Sequence, residues 1–127
     1  MGGSKPDSNY AWAIPYLELP IESVVEVGAR DGHDAVALAT LLSCRVDTFE
    51  ASPVEFPRVA DNIAKSGLRG IHAYELALSN EGGLIDFWVV DQEHYANSGL
   101  GSLYEINFDN RAIDDEDAGH PKIQRRV

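Results

Sequence analysis

The 127-residue chain has little cysteine, few basic residues and no long apolar run. A single cysteine, Cys44, excludes an internal disulfide, and we expect a reduced, buried thiol. Ten Lys and Arg face 21 Asp and Glu, a net charge of −11, which argues against nucleic-acid or membrane partners because both attract basic surfaces. No apolar stretch approaches the roughly 20 residues of a membrane span, and the N-terminus lacks signal-peptide features, so we expect a cytoplasmic protein.

Strand and helix patterns alternate along the middle of the chain. Residues 1–20, with three prolines among aromatic and aliphatic side chains, predict a lead-in containing a short helix or turn packed against a core. Strands are then predicted at 23–27, 45–50 and 71–78. A first helix is predicted over 34–43 with Asp34 as N-cap, and a second follows Pro53 and ends near Gly67.

A turn at 79–83 and an apolar segment at 84–90 predict a fourth strand, hairpinned to the third. The order βαβαββ predicts an α/β fold, a Rossmann-like three-layer sandwich with a partial, doubly wound, mainly parallel sheet. We divide the chain into the lead-in 1–20, a ligand-binding half 21–108 and an acidic loop or tail 109–127.

Three loops are expected to meet at one crevice, because parallel sheets bind ligands beyond the carboxyl ends of their strands. Gly28 and Gly32 follow the first strand, and their freedom at positive φ suits a tight turn close to a ligand. A plain strand-to-helix turn is the alternative. Glu50 ends the second strand, where a carboxylate can accept hydrogen bonds from both ribose hydroxyls. A solvent-facing glutamate is the alternative there.

Two motifs are similar to those of the FkbM-type methyltransferases, a branch of the class I S-adenosylmethionine-dependent enzymes. VVEVGARDG at 24–32 resembles the family's first motif, and TFEASP at 48–53 resembles its Phe-Glu-Pro motif. Glu26 stands where the family has aspartate, and Arg30 where it has asparagine. Segments 62–63, 77–83 and 101–103 fall in the family's order, so the resemblance covers about residues 22–104.

The resemblance implies S-adenosylmethionine as cofactor and a small molecule or sugar hydroxyl as methyl acceptor. Methyl transfer itself requires little beyond alignment of the acceptor with the methyl group, so a metal is optional. It implies that Glu26 holds the methionine ammonium, Gly28 borders the methionine part, Glu50 holds the ribose, and Ala51 with Leu78 flanks adenine. The cofactor-binding residues expected on this basis are Glu26, Gly28, Ala29, Arg30, Gly32, Glu50, Ala51 and Leu78. No catalytic base is assigned; His33 and Asp31 lie in the expected crevice, where exposed loop residues are the alternative.

Two other functions compete with methyl transfer. A nicotinamide-dependent oxidoreductase shares the glycine turn and the strand-end acid, but Arg30 interrupts the G-x-G-x-x-G spacing. A truncated relative that binds a nucleoside, or only a protein partner, is the non-enzymatic alternative. The family carries a later acidic strand and helix, and the chain ends before one, so we expect a front half. Its first strand would expose an apolar edge, which a second copy in a homodimer would cover.

No metal site is expected from the histidines or the acidic run. His33, His72, His94 and His120 are too far apart in sequence to form a local metal motif. Residues 114–117 lack the alternating spacing of an EF-hand loop, which predicts a solvated loop instead.

Overall fold

The computed structural model describes residues 10, 12–18, 20–90, 101, 103 and 124–126. The acidic run at 114–117, and with it most of the predicted tail, lies outside these residues. The chain forms two compact units, Met1–Leu78 and Ser79–Val127. The first contains a 3₁₀ helix Ile14–Tyr16, strands β1 Ser23–Val27, β2 Arg45–Phe49 and β3 Ile71–Tyr74, and helices α1 His33–Leu42 and α2 Phe56–Ser66; the second contains β4 Trp88–Val90 and β5 Gln124–Arg126.

The first unit is a parallel three-stranded sheet in the order β1-β2-β3, with one helix after each of the first two strands. This βαβαβ arrangement is a partial Rossmann-like α/β fold, so the predicted fold class is confirmed. The observed β1 matches the predicted strand residue for residue, and α2 ends at Gly67, whose φ of +70° closes the helix as expected.

Both helices pack on one face of the sheet. Val24, Val46 and Ile71 are paired in register across the three strands, and they meet Ala35 and Leu38 of α1. Val46 is completely buried, so it contributes most of its apolar area to the hydrophobic stabilisation of the unit. Ile14 of the 3₁₀ helix also packs against this cluster, which confirms that the lead-in contacts the core.

The start of α1 differs from the prediction. Asp34 lies inside the first turn and does not act as the N-cap; that position is held by Gly32, at φ +83°. A left-handed glycine turns the chain into the helix two residues earlier than a side-chain cap at Asp34 would allow. Asp31 satisfies one of the unpaired N–H groups of the first turn, because its Oδ1 accepts a hydrogen bond from the His33 N–H at 3.1 Å.

The predicted hairpin between the third and fourth strands is wrong. β3 ends at Tyr74, which pairs with Phe49, the last residue of β2, so in the part of the chain that the structure describes no strand pairs with the residues just beyond Tyr74. In the second unit β4 pairs antiparallel with β5, which lies in the segment predicted as an acidic tail. A Cβ at Gly101 would come within 2.8 Å of the Phe87 ring, so glycine allows a close contact within this unit.

The outer edge of β1 has no strand partner among the described residues. Along it runs a groove of about 310 Å³, formed by apolar side chains of the 3₁₀ helix, β1 and α1, with Glu26 as its one charged lining residue. The expected apolar edge is therefore present, and its pairing with a second copy stays a prediction. In the described part of the chain, no helix is long and apolar enough to cross a bilayer.

Candidate functional site

The loop between β1 and α1 folds across the end of β2. The amides of Gly28 and Ala29 both donate to the Phe49 carbonyl, at 2.8 and 3.0 Å. Gly28 has φ +84°, and a Cβ built there would meet no atom within 4 Å, so its backbone borders open space. This geometry confirms the predicted tight glycine turn at the carboxyl end of β1.

Glu50 lies directly against this loop. Its Oε2 accepts a hydrogen bond from the Arg30 N–H at 2.7 Å, and its Oε1 accepts one from the Ser52 N–H at 2.8 Å. The Glu50 side chain is thus held by two amides that are separated by 22 residues in sequence, and only 8% of the residue is exposed. The structure therefore brings the β1 turn and the Glu50 carboxylate to the same end of the sheet.

Helix α2 contacts the loop between β1 and α1 at two residues. Asn62 Nδ2 donates to the Asp31 carbonyl at 2.7 Å. A Cβ at Gly32 would come within 3.2 Å of the Val59 carbonyl oxygen, so this glycine is required by both its φ and the closeness of α2. This contact joins residues 31 positions apart, so it could not be predicted from the place of Asn62 along the chain.

Glu26 is a buried acid beside the loop. It is 8% exposed, and its Oε2 accepts a hydrogen bond from the Thr48 hydroxyl at 2.6 Å. Burial raises the pKa of Glu26 above its usual 4.5; the Thr48 hydrogen bond opposes that rise, while the charges of Asp34, Asp31 and Glu50 add to it. Three further carboxyl groups therefore lie close enough to Glu26 to raise its pKa, so acidic groups are concentrated around this loop.

Thr48 and Ser52 are the site residues that sequence reasoning missed. Thr48 is paired in register with Glu26 in the neighbouring strand, so aligning the two strands would have placed both side chains on one face. Ser52 holds Glu50 through its amide and receives the Glu55 N–H on its Oγ at 3.3 Å. The Ser52 carbonyl accepts the Phe56 N–H at 2.9 Å, so this residue joins Glu50 to the start of α2.

The remaining predicted residues occupy more peripheral positions. Ala51 follows Glu50 and is half-buried, whereas Leu78 lies four residues past β3 and is 47% exposed. Their contact with an adenine ring stays a prediction. His33, the candidate base, is exposed, and its Nδ1 lies 3.4 Å from Asp31 Oδ2. Among the residues with described positions, no three His, Cys, Asp or Glu side chains are grouped as a metal site.

No protein-family model matches the sequence, and neither does any curated protein. Among solved structures, the chain is similar to Pyrococcus horikoshii TYW2 in complex with MeSAdo, at 27% identity over 46% of this chain and a TM-score of 0.43. It is also similar to the N-terminal domain of EvdMO1 with SAH bound, at 21% identity over 42% of this chain and a TM-score of 0.40.

The YcgJ protein from Bacillus subtilis is a third similar structure, at 18% identity over 53% of this chain and a TM-score of 0.46. The chain spans only 22% of the TYW2 and EvdMO1 structures and 29% of YcgJ. These likenesses concern part of an α/β fold.

Proposed function

We propose that this chain binds S-adenosylmethionine and forms the cofactor-binding part of an FkbM-type methyltransferase acting on a hydroxyl of a small molecule or sugar. The observation that carries the proposal is the position of Glu50, whose two carboxylate oxygens accept the Arg30 and Ser52 amides. Each oxygen has two lone pairs, so each keeps one for a further donor. Two such acceptors on one fixed carboxylate suit the two neighbouring hydroxyls of a ribose.

The charge of the site favours a sulfonium ligand over a dinucleotide. Glu26, Asp31, Asp34 and Glu50 lie around the turn, and the charges of the last three add to the rise that burial causes in the pKa of Glu26. S-adenosylmethionine carries a positive sulfur and a positive ammonium, which carboxylates attract, whereas the pyrophosphate of NAD is doubly negative and would be repelled. The same charges therefore count against the oxidoreductase alternative.

The open space at Gly28 fits the same ligand, because no side chain stands between the turn and a molecule beside it. In this proposal Gly28, Ala29 and Gly32 shape the turn, Arg30 and Glu26 lie at the amino-acid end, Glu50 holds the ribose, and Ala51 with Leu78 flanks the base. The bound cofactor would supply an electrophilic methyl group on its sulfur. The chain's own residues would bind and orient it, which accounts for much of what methyl transfer requires of a protein.

Calorimetric titration of the full chain with S-adenosylhomocysteine and with NAD tests the proposal. We expect S-adenosylhomocysteine to bind and NAD not to bind. Glu50→Gln should weaken S-adenosylhomocysteine binding about tenfold or more, since it removes a charged acceptor from buried hydroxyl hydrogen bonds. Glu22→Gln, an exposed site just before β1, is the matched control and should leave the affinity unchanged.

Each other result of the titration contradicts the proposal. Binding of NAD without S-adenosylhomocysteine would favour an oxidoreductase, and binding of neither would favour a protein that works through its partners. Equal affinities of the Glu50→Gln variant and the wild type would show that the ribose is held elsewhere.

A further inference from the structure

Arg30 has an unusual backbone conformation. Its φ is +56°, in the left-handed region that side chains larger than asparagine rarely adopt. The conformation is held because the Arg30 N–H donates to Glu50 Oε2 at 2.7 Å. An arginine here costs conformational energy that asparagine or glycine would lower, so the turn itself gives no reason for the guanidinium.

Among the described basic side chains of the first unit, those of Arg30 and Arg69 form no ion pair, and Arg30 is the one at the carboxyl end of the sheet. Arg45, Arg58 and Lys65 form ion pairs with Asp47, Glu55 and Asp61, at 2.8, 3.3 and 2.7 Å. Arg30 is exposed, and within the described part of the chain it makes no comparable ion pair, although Asp31 is its neighbour and Glu50 contacts its amide. A free positive charge therefore stands beside a negatively charged turn.

The charge pattern of the ligand matches this arrangement. The amino-acid end of an S-adenosyl ligand carries both an ammonium and a carboxylate, and the acids around the turn attract the first and repel the second. Arg30 is the one arginine or lysine in the two segments that form this end of the sheet, residues 26–34 and 48–55. The nearby Arg58, on α2, is already paired with Glu55. A guanidinium can donate two parallel hydrogen bonds to a carboxylate.

We propose, on the basis of the proposed function, that Arg30 is the specificity-determining residue that binds the carboxylate of the ligand's amino-acid part. The site then selects nucleosides that carry a complete amino acid over nucleosides that lack one. Arg30 does so from a position where the resembling family has asparagine, whose shorter, uncharged side chain cannot form this ion pair.

The test compares two thioether nucleosides that differ only in the amino-acid part, S-adenosylhomocysteine and 5′-methylthioadenosine, by calorimetry on the full chain. Arg30→Asn should weaken S-adenosylhomocysteine binding about tenfold or more and leave 5′-methylthioadenosine binding within about twofold, because one charged contact is lost. Asparagine tolerates positive φ, so the turn should be retained. Arg30→Lys keeps the charge without the paired donors and should give an intermediate loss.

Arg69→Asn is the matched control, since Arg69 is exposed and precedes β3 at the opposite end of the sheet; it should change neither affinity. Equal losses for both nucleosides in Arg30→Asn, or no loss for either, would overturn the role of Arg30 while leaving the proposed function intact. Failure of the wild-type chain to bind S-adenosylhomocysteine would overturn both.

Discussion

The two faces of the three-stranded sheet differ in which side chains they bury and which they expose. The helix-covered face buries the apolar row Val24, Val46 and Ile71, and beside it the acid Glu26 with Thr48. The open face exposes Val25 and Val27, at 64% and 63%. A buried acid and exposed valines on the same strand reverse the usual distribution of residues.

The open face differs also in the hydrogen bonds that its acidic side chain, Asp47, accepts. Asp47 receives two hydrogen bonds from Arg45, both at 2.8 Å, and one from the Tyr74 hydroxyl at 3.0 Å, while the Phe49 and Tyr74 rings stack with centroids 4.9 Å apart. The Asp47 carboxylate is therefore paired with a cation, whereas the Glu26 carboxyl group on the covered face accepts, among the described residues, a single hydrogen bond from the Thr48 hydroxyl. Glu26 lies two residues before Gly28, and in the proposed function the positive charge of the ligand would offset the buried charge of its carboxyl group.

The largest contrast between the faces should appear in their valines. Val46→Ala should lower the free energy of unfolding by about 2 kcal/mol or more, because it leaves a cavity in a packed core. Val25→Ala deletes the same two carbons from an exposed position and should cost less than about 0.5 kcal/mol. Urea unfolding of both variants measures the difference, and similar losses would mean that the open face is covered in solution.

A second contrast concerns the two glycines of the turn, which share φ values of +84° and +83°. Alanine at Gly28 bears the cost of a left-handed backbone, about 1 kcal/mol. Alanine at Gly32 adds a contact of 3.2 Å with the Val59 carbonyl, which belongs to the backbone and cannot rotate away. We expect Gly32→Ala to destabilise the chain by about 1 kcal/mol more than Gly28→Ala in thermal or urea unfolding. The reverse order would contradict the packing of α2 on this turn.

The smallest contrast is in pH dependence. The pKa of Glu26 is raised by burial, so its contribution to stability is present at low pH and is lost as pH rises through the raised value. Glu26→Gln, which can still accept the Thr48 hydrogen bond, should be more stable than the wild type at pH 8, and the gap should shrink as the pH falls towards 4.5.

Asp47→Asn is the matching variant on the open face. The Arg45 hydrogen bonds lower the pKa of Asp47 from 3.8 to about 2, so its contribution is complete above pH 3.8 and is lost only as pH falls towards 2. Asp47→Asn should therefore be less stable than the wild type by the same amount at pH 8 and pH 5.5. A gap that changes between these pH values for Asp47→Asn, or a gap for Glu26→Gln that stays constant from pH 8 down to pH 4.5, would contradict the assigned environments.

Much of the first unit could be predicted from the sequence because its elements are locally encoded. The apolar run of β1, the helical spacing of α1 and the terminal glycine of α2 each act within a few residues. The predictions failed where partners are distant: β3 stops where β2 stops, and β4 pairs with residues more than 30 positions later. No local pattern carries that information.

The sequence by itself determined the order of strands and helices, the glycine turn after β1 and an acid at the end of β2, because hydrophobic periodicity and glycine's backbone freedom are local properties. Only the tertiary structure decided that the Arg30 and Ser52 amides hold Glu50, that Thr48 contacts Glu26, and that Asn62 ties α2 to the turn. Three of these contacts join residues 20, 22 and 31 positions apart, so they exist only once parallel strands have been paired and a helix has been packed across them.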